Sequence, residues 1–177
     1  MNSGKVFAAP WSGSLKLITL LSVGVLLSIP VFGMDNFYDG MEPVLVFTLF
    51  VFPVAIVVIA VFFIIRNYEI SNDVLYIQRF GWRTTLDLTG LESAETDPQA
   101  MKGSIRTFGN GGLFCFAGRF RNKKLGAYRA FATDPKLAVV LTFPDKVVVV
   151  TPKNPANFSM MLKPATRLKS GTHHGSS

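Results

Sequence analysis

The sequence predicts a transmembrane hairpin of two apolar helices followed by a mainly β domain. Three observations point there. Val44 to Ile65, VLVFTLFVFPVAIVVIAVFFII, carries no charge, and only Thr48 and Pro53 depart from strongly apolar types. Leu15 to Met34 is a second apolar stretch, separated from the first by a short acidic connector. Beyond Ile65 the chain breaks into short β-branched and aromatic runs punctuated by Gly, Pro, Asn and Asp. That punctuation is the pattern of strands and turns.

The Val44–Ile65 run is about 22 residues long, so a helix there spans about 33 Å, close to the hydrocarbon thickness of a bilayer. A helix on the surface of a soluble protein needs one wet face, and this run has none. Pro53 is tolerated because spanning helices accept kinks that neighbours re-satisfy. Leu15–Met34 contains Lys16 near its start and Pro30 near its end. Lys16 is placed to snorkel to the headgroups. A signal peptide is the rival reading of this stretch; the longer apolar run that follows within about ten residues favours a hairpin.

The connector Gly33–Pro43 reads GMDNFYDGMEP, with Asp35, Asp39 and Glu42 and no Lys or Arg. Lys5 and Lys16 lie on the N-terminal flank of the pair of helices, and Arg66, Arg79 and Arg83 on the other. The positive-inside rule then puts both flanks in the cytoplasm and the connector outside. Phe37 and Tyr38 suit the outer interface, Trp11 and Tyr68 the inner one. Gly24 and Ser28 lie four apart, a small-residue stripe that predicts close contact between the two helices, with homodimerisation through the stripe as the alternative.

The β domain begins without a linker. Tyr68–Ile70 reads as a strand, Ser71–Asp73 as a turn, Val74–Phe80 as a strand, and Gly81–Trp82 as a two-residue turn with glycine first. Arg83–Leu88 and the more polar Leu91–Thr96 continue the meander. Pro98–Gly112 reads as irregular. Leu113–Phe120, Leu125–Thr133, Lys136–Phe143 and Val147–Thr151 are further strands. Asn154–Pro155 is an N-cap followed by proline at the first helical position. Phe158, Met161 and Leu162 fall at i, i+3 and i+4, one apolar face of a short helix stopped by Pro164. The expected division is 1–66 for the membrane hairpin, with helices at about 15–34 and 44–65, then 67–163 for the β domain. Residues 164–177 read as a flexible tail.

About seven antiparallel strands capped by one C-terminal α-helix is the plan of a pleckstrin-homology (PH) barrel. The stretches GNGGLFCFAGRF, NKKLGAYRAFATD, LAVVLTFPDKVVVVTP and NPANF resemble the bacterial PH domain family, whose members often follow two membrane helices. The resemblance covers about Tyr68 to Leu162. It implies a PH-like barrel in a membrane setting; with the positive-inside reading above, the expectation is a multi-pass protein of the inner (plasma) membrane with both termini and the barrel cytoplasmic. It implies no reaction. Eukaryotic relatives hold phosphoinositides with bases near the first hairpin, but the turn Ser71–Asp73 carries an acid and no base.

The chemistry of an enzyme is missing from the residues. The two histidines, His173 and His174, both lie in the tail, and Cys115 is the only cysteine. A single cysteine excludes an internal disulfide. No nucleophile elbow, zinc-spaced Cys/His set or phosphate loop followed by a helix occurs. Gly109, Gly111 and Gly112 lead into a strand, which makes them turn glycines. Glu92, Glu95 and Asp97 read as a solvated edge. No cofactor and no metal is expected.

The charge is uneven. The net charge of the chain is +7. Between Asp97 and Asp134 there is no acid, while Lys102, Arg106, Arg119, Arg121, Lys123, Lys124 and Arg129 supply seven bases. Arg119 and Arg121 alternate onto one face of their strand, and the Asn122–Lys124 turn extends it. Arg106, Arg119, Arg121, Lys123 and Lys124 are therefore the lipid-binding candidates, each base near an anionic leaflet contributing about 1 kcal/mol. A solvated basic surface is the plain alternative, and nucleic acid is disfavoured because no binding motif accompanies the charge. The function expected is that of a non-catalytic interaction module contacting anionic lipid or a partner protein. A homo-oligomer, or an accessory subunit of a larger membrane complex, is the alternative.

Overall fold

The structure is a computed structural model and describes residues 4–36, 40 and 42–162. The tail histidines, Phe37 and Tyr38 lie outside the described residues. Helix α1 (Gly13–Asn36) and helix α2 (Pro43–Val61) are both long and apolar enough to cross a membrane. Ser12 caps α1, its Oγ accepting from Leu15 N at 3.1 Å. Proline occupies the first turn of α2, where a missing N–H costs nothing. At 19 residues α2 is about 28 Å long.

α2 stops four residues earlier than its hydropathy suggests. Phe62, Phe63 and Ile64 form turn bonds to Ile59, Ala60 and Val61, and Ile65 already opens a strand. The cause is packing: Ile65 is 1% exposed and belongs to the core of the β domain. An apolar run read by hydropathy cannot tell a lipid-facing residue from a core residue.

Strands β1 (Lys5–Ala8), β2 (Ile65–Ser71), β3 (Val74–Arg79) and β4 (Arg83–Asp87) form one sheet in that order. β1 lies upstream of both helices, in the part that the sequence assigns to the hairpin, yet it pairs antiparallel with β2 over Lys5↔Ile70 to Ala8↔Asn67. The second sheet holds β5 (Ser93–Thr96), β6 (Ile105–Gly111), β7 (Phe116–Asn122), β8 (Gly126–Ala132), β9 (Val139–Thr142) and β10 (Val147–Val150), in the order β5-β9-β10-β8-β7-β6. Helix α3 (Pro155–Leu162) follows.

The strand count expected from sequence needs correction. Ten strands are present among the described residues, and β8 and β10 run parallel rather than antiparallel. β6 falls in the segment that reads as irregular. Its apolar residues face solvent, so no buried alternation marks it.

The two sheets share a core. Tyr68, Leu75 and Ile77 from the first meet Phe131, Leu141, Val148 and Val150 from the second. α3 covers it with the face the spacing predicts: Phe158 and Leu162 are buried and Met161 packs partly against them. Phe158 makes edge contacts with Phe7 of β1 at 5.1 Å and with Tyr68 at 6.3 Å between ring centroids. The Tyr68 hydroxyl donates to Phe131 O at 2.7 Å, tying β2 to β8 across the core. The outer face of the second sheet buries Phe120, Tyr128, Ala130 and Val149 under Ala100 and Ala138.

Candidate functional site

The β domain is joined directly to both helices. A helix leaves its last carbonyls without internal partners. The turn after α2 meets its last carbonyls, and the domain binds the two carbonyls just beyond: Trp82 Nε1 donates to Phe62 O at 3.0 Å, and Arg79 Nη1 to Phe63 O at 3.0 Å. The Cys115 thiol donates to the same Phe63 carbonyl at 3.3 Å. A cation is also favoured at this end by the helix dipole. On α1, Thr19 clamps the β6–β7 connection: its hydroxyl donates to Gly112 O at 3.1 Å and accepts from Phe114 N at 3.0 Å. Leu15, on the same face, is fully buried. Gly112 stands at φ +135, and a Cβ there would come within 3.0 Å of Ile18. Gly112 thus serves a tight turn against α1, whereas Gly109 and Gly111, expected as turn glycines, lie in strand β6.

Beside this junction, between β3–β4 and β6–β8, lies an open cleft of about 820 Å³. Arg79, Arg83, Arg119 and Arg129 line it with Phe63, Trp82, Phe108 and Phe131, and among the described residues no carboxylate does. Arg79 is only 6% exposed. Its guanidinium sits 4.6 Å from the Trp82 ring centroid and 5.5 Å from that of Phe131. Arg129 lies 4.7 Å from the same Phe131 ring. Arg119 and Arg129 are directly opposite on β7 and β8. Burial lowers the pKa of Arg79, and the charge of Arg129 acts in the same direction. Burial pushes the neighbouring Cys115 thiol up to about 11.

Gly109 and Gly118, which also line the cleft, face each other on β6 and β7. A Cβ on either would fall inside contact distance of the opposing backbone, so close strand approach requires both glycines. Phe108 is 74% exposed at the mouth, and Trp82, Phe62 and Phe80 are partly exposed around the end of α2.

Residues 66–165 match the family described as bacterial PH domain. The chain belongs to the bacterial PH domain family. No similar curated protein and no similar solved structure was found. PH domains are in general non-catalytic modules that bind lipids or proteins, and here one follows two helices able to cross a membrane.

Within the PH domain the five nominated bases are not brought together. Arg119 lines the cleft, and Arg121 follows on the same face of β7. Arg106 pairs in register with Phe120, so it lies on the other face of the sheet, folded over Gly111 with Nη1 donating to Gly109 O at 3.1 Å. Lys123 and Lys124 sit in the β7–β8 turn, at the opposite end of β7 from Cys115. Seven residues of strand put that turn about 20 Å from the helix junction. Lys124 pairs with Asp97, whose carboxyl the Lys124 hydrogen bond holds below its usual range. The acid-free span is thus acid-free in sequence only.

Sequence reasoning nominated none of Arg79, Arg83 and Arg129, which line the cleft. A signal for Arg79 was available. Along β3 the buried positions are Leu75, Ile77 and Arg79, so an arginine stands in phase with the core. Arg129 is likewise in phase with the buried Phe131 along β8. The small-residue stripe is also corrected: Gly24 has nothing within 4 Å of its Cβ position, so it makes no close contact with α2.

Proposed function

We propose that this chain is a membrane-anchored, non-catalytic module whose PH-like barrel is held against the cytoplasmic face of the membrane, where it contacts anionic lipid. The observation that carries this reading is the hydrogen-bonded junction between the helices and the domain. Thr19 and Leu15 engage the domain on one side of α1. Leu17, 57% exposed, and Leu20, 69% exposed, present bare apolar surface at the same level. The domain therefore stands where the lipid-facing surface of the helix begins. Bases within a Debye length of an anionic leaflet, about 8–10 Å, are attracted with little screening. Of the nominated set, Arg119 serves this role, joined by Arg79, Arg83 and Arg129; Arg121, next to the β7–β8 turn, and the turn itself with Lys123 and Lys124 lie away from the helix ends.

Lipid analysis of the full chain purified in mild detergent tests the reading. Retained lipid should be enriched in anionic species over the membrane it came from. Retained lipid of bulk composition, with a stoichiometric protein partner instead, would transfer the function to an accessory subunit of a complex.

A further inference from the structure

The cleft beside α2 differs from an ordinary basic surface in one respect: its central charge is buried. Arg79 is 6% exposed, and among the described residues no carboxylate lines the space in front of it. A desolvated guanidinium without a carboxylate is costly unless other groups compensate. The Phe63 carbonyl at the end of α2 and the Thr84 hydroxyl, 3.4 Å from Nε, supply part of that compensation. A guanidinium offers five donors in a fixed fork. Arg129 shares the Phe131 ring with Arg79. Arg119 stands directly across from Arg129, an arrangement of like charges that destabilises a sheet unless something lies between them.

We propose that this cleft is a phosphate-binding site, with Arg79 at its floor and Arg119 and Arg129 at its mouth. The inference rests on the membrane reading above and names the chemical group held there. Arg129 repels both Arg79 and its cross-strand partner Arg119, and a tetrahedral anion between them would pair these guanidiniums, since arginine binds phosphate oxygens in a bidentate manner. The volume of about 820 Å³ admits more than a bare phosphate and suits a headgroup. Trp82 places an aromatic ring at the junction with α2, beside where acyl chains begin. The site is distinct from the first hairpin turn, Ser71–Asp73, which lies at the other end of β3 from Arg79. The phosphate group is common to an anionic phospholipid and to a soluble phosphate, and the experiment separates them.

The test is the thermal unfolding of the full chain in uncharged detergent micelles. It is titrated with short-chain phosphatidylglycerol, with short-chain phosphatidylcholine, and with inorganic phosphate against chloride at matched ionic strength. A saturable rise in midpoint with phosphatidylglycerol alone supports the site and assigns it to membrane lipid. A rise with inorganic phosphate as well supports it and assigns it to a soluble anion. Loss of two charge-assisted contacts in the double variant Arg119→Gln/Arg129→Gln should weaken apparent affinity at least about tenfold. The double variant Lys123→Gln/Lys124→Gln should leave it unchanged. Arg79→Gln should abolish the response, but Arg79 also binds the Phe63 carbonyl just beyond α2, so the pair at the mouth decides. No saturable rise from either phosphate source, or a rise in Arg119→Gln/Arg129→Gln equal to that of the parent chain, overturns the proposal. An anionic-lipid response that persists in that variant and falls in the lysine variant overturns the cleft while sparing the membrane reading. Equal response to the two lipids overturns both.

Discussion

Two side chains show how burial sets chemistry residue by residue. Phe158 is fully enclosed between Phe7 and Tyr68. Phe158→Ala should cost about 3–5 kcal/mol, since it removes a large apolar group and leaves a cavity. Denaturant unfolding of the full chain in detergent measures this, and a loss under about 1 kcal/mol would mean that α3 closes no core. Cys115 is buried against the Phe63 carbonyl, and burial raises its thiol to about 11. The thiolate is the nucleophile. In the folded chain alkylation should therefore be slow at neutral pH and accelerate only as pH rises toward 11, whereas the unfolded chain reacts from the ordinary thiol range upward. Fast alkylation of the folded chain at pH 8 would show that the β6–β7 loop opens away from α2.

The elements that were hardest to read in the sequence are those whose meaning comes from a distant partner. The α3 face, the turn at Ser71–Asp73 and most strands of the domain are legible because local spacing and turn chemistry agree with their burial. β1 is not legible. The four residues of β1 carry no period long enough to read, and only β2, some sixty residues later, makes a strand of them. The end of α2 is misjudged for the same reason, because Ile65 is apolar for a core rather than for lipid. The arginine cleft lies between: Arg79 shows its phase along β3, but its neighbours come from β8 and β7. β1 supplies Phe7 to the core, Ala8 O accepts from Lys153 N, and Ala9 just past the strand donates to Arg66 O. Phe7→Ala should cost about 3 kcal/mol. A fragment beginning at Arg66 should expose the β2 edge and elute from gel filtration as aggregate. A monomeric fragment with cooperative unfolding would show that β1 is dispensable. Thr19→Val leaves Gly112 O and Phe114 N without their partner, which should cost about 1–3 kcal/mol. Faster amide exchange across residues 112–115 would report it, and unchanged exchange would contradict the clamp.

For the whole molecule, the basic flanks and acidic connector predict a topology. A tag inserted in the connector between Gly33 and Pro43 should be reached by reagent from outside intact cells, and a C-terminal tag should not. The opposite pattern would reverse the orientation and remove the domain from the cytoplasmic leaflet. Everything proposed for the PH domain depends on its standing at an anionic surface with the end of α2 and the arginine cleft turned toward it. Trp82 reports on that place, since it bonds to Phe62 O and stacks under Arg79. With Trp11→Phe leaving Trp82 as the only tryptophan, the full chain can be placed in bilayers containing brominated lipid. Brominated phosphatidylglycerol should quench Trp82 more strongly than the same mole fraction of brominated phosphatidylcholine, and added salt should narrow the difference. Equal quenching by the two lipids at low salt would contradict the central claim.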